Sequence, residues 1–319
     1  RGMIAAEDLC AGEEILLTAG ALPSVGITGR DPQTVEEIEA ALMGLIAGDG
    51  TFGKGKSTEN VKLGFWGEDR SSVARVSSWI DVLWDRYGDE IVSPGDRPYT
   101  RYWVSEVPER NETRLQSSFL AALLKEKYGF QKSTKLVVPK AIMENARTTQ
   151  GLFYVAGLSF ADGYVNKYNK VGSSSARISQ SDKPILQSIQ KILLANGIAS
   201  TIYLRRPERQ SLLPTYELLI MNHKYEFASL IGFLGSHKDQ TALENLTPSR
   251  KRNGFSATVS SVEDAGIEDV YCLREPIRRT LCADGITMRR CAEQSLESGE
   301  CCTLVETFID RHEDLEDYK

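Results

Sequence analysis

The strongest constraint on this chain is that it repeats itself. Leu42-Met43-Gly44-Leu45-Ile46-Ala47-Gly48-Asp49-Gly50 is echoed by Val155-Ala156-Gly157-Leu158-Ser159-Phe160-Ala161-Asp162-Gly163, with the two aspartates 113 residues apart. The stretches downstream of the two segments are parallel as well. Asp69 and Asp182 each lie 20 residues past their aspartate, after strand-like runs (Val61 to Trp66; Ala176 to Ser179). Each precedes a helical pattern, Val73 to Tyr87 and Ile185 to Asn196, for which it is the expected N-cap. Strand candidates come next, Glu90 to Val92 and Thr201 to Leu204, then Tyr99 to Val107 and Thr215 to Met221. A helix closes each copy, Leu115 to Tyr128 and Tyr225 to Phe233. One short match arises easily by chance; the same order and spacing of elements does not.

The expected fold class is therefore α+β, with two tandem pseudo-symmetric αββαββα units over residues 35-148 and 149-247. Four strands per unit are too few to bury both sheet faces, so helices should cover one face only. The other face carries Lys62, Gly64 and Trp66 in one copy and Arg177 and Ser179 in the other. A curved sheet bearing basic and aromatic side chains can lie in a DNA major groove. Lys62, Trp66, Lys167, Lys170, Arg177, Arg205 and Arg206 are the candidate contacts. A formal charge of −6 argues against such a partner only if it is evenly spread. It is not: residues 111–260 hold 20 Lys+Arg against 10 Asp+Glu, and the remainder 18 against 34. Phosphate binding is a local electrostatic matter, so a basic middle can serve it. No apolar run is long enough for a bilayer, and Arg1-Gly2-Met3-Ile4 has no secretory signature. The six cysteines lack C-x-x-C spacing, so a cytoplasmic location is expected, without a disulfide framework or zinc site. His223, His237 and His312 are scattered and read as solvated or structural.

The repeated segments suggest a chemistry. Gly44 and Gly48, four residues apart, share one helix face, and Gly157 and Ala161 are their counterparts. Missing side chains let two helix backbones approach, at up to about 1 kcal/mol of propensity per glycine. Asp49 and Asp162 would then end their helices, with Gly50 and Gly163 as stops. A negative charge at a helix C-terminus is unfavourable, and two close together repel further and raise one pKa. Such a misfit made twice points to a cation between them, and carboxylates with waters suit Mg²⁺. Two carboxylates sharing metal can activate water and stabilise a leaving oxygen.

These segments resemble the paired signature of LAGLIDADG homing endonucleases of the kind carried inside inteins, over roughly residues 35 to 245. Lys135-Leu136-Val137-Val138-Pro139 adds to the resemblance, although Lys135 stands one residue further from the proline than the usual pattern. Ser181-Asp182, with the helix running to Gly197-Ile198, is similar to the family's second half. The resemblance implies two LAGLIDADG subdomains forming a saddle-shaped surface, a monomer acting as a pseudo-dimer on double-stranded DNA. It also implies cleavage of a long asymmetric site, Mg²⁺ on Asp49 and Asp162, and a catalytic lysine near each centre, assigned to Lys135 and Lys238.

The flanks resemble other parts of an intein. Met3 to Glu13 is similar to a stretch late in the N-terminal half of a splicing (Hint) domain, so residues 1-34 read as a remnant of that half plus a linker. Residues 248-290 read as C-terminal splicing strands, with the splice junction at Arg290 and Cys291. Splicing needs a terminal asparagine that cyclises. Arg289 and Arg290 stand where His-Asn is usual, and arginine carries no carboxamide, so the chain as given should not splice. Residues 291-319 resemble ribonucleotide reductase just past an active-site cysteine, which marks where the element is inserted. The alternatives are an inert intein or maturase-like nucleic-acid-binding protein, or a fragment of a reductase precursor.

Overall fold

A computed structural model describes residues 8–54, 59–93, 98–166, 174–208, 213–248, 255–264, 280–283 and 285–289. The first described strand is β1 (Glu14–Leu16). One copy of the repeat comes next as α1 (Val35–Asp49), β2 (Thr51–Lys54), β3 (Glu59–Trp66), α2 (Val73–Tyr87), β4 (Trp103–Val107), β5 (Glu112–Ser117) and α3 (Ser118–Tyr128). A short α4 (Lys140–Glu144) leads into the second copy. That copy comprises α5 (Thr149–Asp162), β6 (Gly163–Asn166), β7 (Ser175–Gln180), α6 (Lys183–Ala195), β8 (Thr201–Arg206), β9 (Thr215–Ile220) and α7 (Lys224–Leu230). Then come α8 (His237–Asn245), β10 (Ser256–Thr258), β11 (Thr280–Ala283) and β12 (Ile286–Arg289).

The chain divides into two units, Ala19–Asn253 and the two flanks together. In the flanking unit β1 pairs antiparallel with β10, β11 with β12, and Leu17 bridges to Ile286. Ala19–Asn253 holds two antiparallel four-stranded sheets, ordered β2-β3-β5-β4 and β6-β7-β9-β8, so the fold is α+β with one sheet per copy. Alternation decides what each sheet buries. Val61, Leu63, Phe65 and Leu115 point into the core of the first; Ala176, Ile178, Leu218 and Ile220 do so in the second. Helix α2 lays Val76, Trp79, Ile80 and Leu83 on this core, and α6 lays Ile185, Leu186, Ile189, Ile192 and Leu193, both at helical spacing. Residues 19–34 run along the second copy: Gly20 N–H donates to Leu194 O at 2.9 Å and Ile27 N–H to Leu230 O at 2.8 Å.

Three local expectations are corrected. Glu90 to Val92 is not a strand: Ile91 N–H bonds Tyr87 O at 3.0 Å, winding that run onto the end of α2. The place matching β8 at the sheet edge is taken by β4, and the place beside β3 by β5, whose residues the polarity pattern merges with the helix after it. Ser117 ends β5 and also caps α3 by accepting from Leu120 N at 2.9 Å, so no turn residue separates the two elements. Asp69 is not an N-cap either. The chain leaves β3 through Gly67, at φ +55°, into a tight 3-10 turn over Gly67–Ser72 that contains Asp69. Asp182 does cap α6, accepting from Ile185 N at 3.0 Å. No helix among the described residues is long and apolar enough to cross a membrane. The expected contacts Lys167 and Lys170, the junction residues Arg290 and Cys291, and the reductase-like tail lie outside the described residues.

Candidate functional site

The site is built on the pair α1 and α5. Thr34 starts α1 with a capping box: its hydroxyl accepts from Glu37 N at 3.2 Å while Glu37 Oε2 accepts from Thr34 N. The other Glu37 oxygen accepts from Thr149 Oγ1 at 2.5 Å, so one carboxyl ties together the starts of both helices. Further along, the backbones touch. A Cβ on Gly44 would stand 2.1 Å from Tyr154 O, and one on Gly157 would stand 2.3 Å from Ala41 O. The contacts are reciprocal, since Tyr154 and Ala41 occupy the same place in their copies. A Cβ on Gly48 would meet the Ala161 methyl at 2.3 Å and Asp162 Oδ2 at 2.6 Å. The helix ends carrying Asp49 and Asp162 are thereby pressed side by side.

Gly50 and Gly163 stop the helices, but in an extended conformation (φ −77° and −89°) instead of the left-handed one. Their glycine character serves room: a Cβ would lie 2.5 Å from Ile46 Cα at Gly50 and 2.3 Å from Ser159 O at Gly163. The chain folds back over the last helical turn into β2 and β6. Each aspartate is thus held where a sheet edge, a helix end and the opposite helix converge.

Burial pushes the Asp162 carboxyl up to about 7, with the Asp49 charge adding to it. A hydrogen bond from Gln180 Nε2 to Asp162 Oδ2 at 2.5 Å and the charges of Lys135 and Lys238 oppose the rise without cancelling it. Asp49 is raised as well, by burial first and by Asp69, against Lys238 and Lys135. Both lysines are drawn below their usual range by burial, with the aspartates opposing. Lys135 Nζ donates to Gly50 O at 2.7 Å, immediately past Asp49; Lys238 Nζ donates to Phe160 O at 2.5 Å, just before Asp162. An open cleft lined by Ala47, Gly48, Lys135, Asp162, Ser179 and Gln180 gives solvent access from one side. Among the described residues no cluster of three or more His, Cys, Asp or Glu side chains could hold a metal. Any cation here would have two carboxylates and otherwise solvent or substrate oxygens.

Two residues near the aspartates escape sequence reasoning. Gln180 shares the inward face of β7 with Ala176 and Ile178, and a polar side chain on that face was the available signal. Asp69 hydrogen-bonds His237 Nδ1 at 3.1 Å, beside Lys238, which no sequence spacing indicates. On the sheet faces, Trp66 is exposed and its ring covers Gly64, where a Cβ would be 2.5 Å away. Lys62 is half-buried on the same face. Arg177 and Arg205 both bond Glu217, at 2.8 and 2.5 Å, and Arg206 donates to Thr215 Oγ1 at 2.9 Å beside a β8 bulge.

Residues 150–232, from α5 through the second sheet to α7, match the family described as LAGLIDADG-like domain. The chain is similar, at 26% identity over 273 residues, to the ribonucleoside-diphosphate reductase NrdEB subunit alpha of Bacillus subtilis (strain 168). That match covers 80% of this chain and a quarter of the relative's length. A DNA polymerase of Thermococcus litoralis is 26% identical over 235 residues, covering 72% of this chain and 13% of the polymerase. Among solved structures, I-DmoI in complex with DNA and Mn is 20% identical, covering 64% of this chain and 99% of that one, with a TM-score of 0.43.

Proposed function

We propose that this chain is a site-specific endonuclease that hydrolyses phosphodiesters in double-stranded DNA, carried by an intein inserted in a ribonucleotide reductase. The observation that carries the reading is the pair Asp49 and Asp162, brought together by helices whose glycines leave no space between them, each with a lysine at hand. Relatives support it from another direction. A reductase and a DNA polymerase have different printed functions, yet matches at 80% and 72% of this chain must share at least half of it. What those two have in common with this chain is a segment, not a host activity. The short strand pairs β1–β10 and β11–β12 are compatible with remnants of a splicing domain.

The site fits a divalent cation. Two carboxylates, one pushed up to about 7 by burial and its neighbour's charge, are a costly pair that a cation would relieve. With two carboxylates and no larger His, Cys, Asp or Glu cluster among the described residues, a hard cation that keeps its waters suits the donor set, hence Mg²⁺. When bound it supplies charge stabilisation to the phosphate oxygens and a more acidic water. Asp49 and Asp162 hold the charge, Gln180 fixes the orientation of the Asp162 carboxylate, and Lys135 and Lys238 stand as donors toward the phosphate. Their lowered pKa favours lysines that also exchange a proton with the leaving oxygen.

The test is cleavage of a duplex carrying the uninterrupted host-gene junction around the Cys291 codon, with Mg²⁺. Wild type should cut both strands, and Asp49→Asn and Asp162→Asn should abolish cutting while binding persists. Cleavage surviving both changes would falsify the assignment; binding without any cutting by wild type would leave the maturase-like alternative.

A further inference from the structure

On the open face of the second sheet, at its centre, lies a carboxylate that solvent does not reach. Glu217 is 0% exposed although its neighbours on the same face, Ser179 on β7 and Tyr203 on β8, belong to the face away from the core. Four longer side chains close over it. Tyr164 OH and Arg205 Nη1 each donate to Oε1 at 2.5 Å, Arg177 Nη1 donates to Oε2 at 2.8 Å, and Tyr203 OH donates to Oε2. Ser179 Oγ adds a longer bond to Oε1 at 3.3 Å. Burial alone would push this acid up; the bonds from Tyr164, Tyr203 and Arg177 and the Arg205 charge outweigh it and hold it below its usual range. Glu217 therefore stays ionised on a face whose proposed partner is a polyanion.

A negative charge there works against phosphate binding unless it does something else. The exposures say what. Arg177 is 12% exposed and belongs to the scaffold, whereas Arg205, held through Nη1, leaves 56% of its side chain open to solvent. We propose that Glu217 is a positioning residue for DNA recognition: it splints Arg205 in one orientation so that this arginine reads a base edge in the major groove and does not slide onto the nearest phosphate. The acceptor pair of a guanine, O6 and N7, is what a fixed planar fork matches. The first copy is wired differently. Matching the sheets through Gly50 and Gly163 puts Arg114 where Glu217 stands, held through two bonds by the buried Glu112 at 2.6 and 2.9 Å. The two halves thus carry opposite charges at matched central positions, each ion-paired in its own way.

This inference rests on the DNA-cleaving reading, and the experiment separates the two. The full chain, without Mg²⁺, is used to enrich bound sequences from a duplex pool with a randomised core, followed by titration against the enriched and scrambled duplexes. Glu217→Gln should bind scrambled duplex more tightly, with a salt slope steeper by up to about one unit as one negative charge is lost. It should also lose roughly tenfold in discrimination at one base position. Arg205→Lys keeps the charge and the fold but not the fork. It should lose preference at that same position with the salt slope unchanged, which a merely structural Glu217 would not produce. Wild type that enriches no sequence overturns both readings; a preference kept intact by both variants overturns this one alone.

Discussion

Replacing Asp162 by asparagine should make the metal-free protein more stable, and increasingly so as pH rises. Its carboxyl is raised from 3.8 to about 7 by burial and by Asp49. The folded state keeps this proton where the unfolded chain has released it, so stability falls as pH climbs from the unfolded value toward the folded one and levels off above it. Between pH 5 and pH 8 the carboxyl crosses about two units of that window, at about 1.36 kcal/mol each, so the group withdraws about 3 kcal/mol from wild type. The asparagine side chain cannot ionise, its carbonyl can still accept from Gln180, and loss of the charge relieves Asp49 as well. Urea unfolding of both proteins at pH 5 and pH 8 measures the difference of differences, in which other titrating groups largely cancel. The variant's advantage should grow by about 3 kcal/mol across that interval. Adding Mg²⁺ at pH 8 should stabilise wild type by mass action and the variant far less. A variant advantage that does not change with pH, or a wild type indifferent to Mg²⁺, refutes the claim that two uncompensated carboxylates face a cation site.

Gly44→Ala and Gly157→Ala should each destabilise by about 3 kcal/mol in urea unfolding, because the new methyl would meet a carbonyl of the opposite helix at 2.1 or 2.3 Å. The better helix propensity of alanine, about 1 kcal/mol, is too small to offset that. Lys127→Ala strips the ammonium 2.5 Å from Glu39, which is 0% exposed. It should cost about 3 kcal/mol, and the Glu39→Leu/Lys127→Met pair should recover most of it in the same assay. Affinity for duplex DNA should fall by orders of magnitude between 50 and 200 mM salt, measured by fluorescence anisotropy, since each phosphate contact adds about −0.9 to the logarithmic slope. A flat response would contradict a basic sheet face as the binding surface.

The helix pair was legible in the sequence because its requirements are local. A glycine every fourth position and an Asp-Gly ending need only helical geometry to be placed, and the second copy supplied the partner. Three strands of the second sheet, β7, β8 and β9, were legible as well, since turn-forming stretches separate them, whereas the short β6 directly behind α5 was given no range. The first differs from expectation by one element because β5 passes into α3 at Ser117 with no break in polarity pattern. The polar environment of the aspartates was hidden for another reason. Gln180 reaches Asp162 from a different strand, and Asp69 meets His237 across 168 residues. Alternation places Glu217 on the open face, but only the strand order β6-β7-β9-β8 brings Tyr164 and Tyr203 over it from either side. Periodicity reports which way a side chain points and carries no information about what it meets.

Where the two copies agree and where they differ has one geometric cause. A contact across a pseudo-twofold axis is self-complementary, so a change on one side alters the fit of both. The reciprocal approaches of Gly44 to Tyr154 O and Gly157 to Ala41 O lie on that axis, and there the copies match. Away from it the matched positions meet different neighbours. Buried Glu39 in α1 is answered by Leu152 in α5; inward Phe65, edge-on to Phe160, is answered by Gln180; Arg114 on the open face is answered by Glu217. Two identical chains could not diverge at these positions independently, because every substitution would appear twice. Joining the copies in one chain removes that restriction. It lets one pair of helices stay symmetric around the acids while each sheet acquires its own charges, which is the arrangement that the proposed cleavage of a target with two different halves would need.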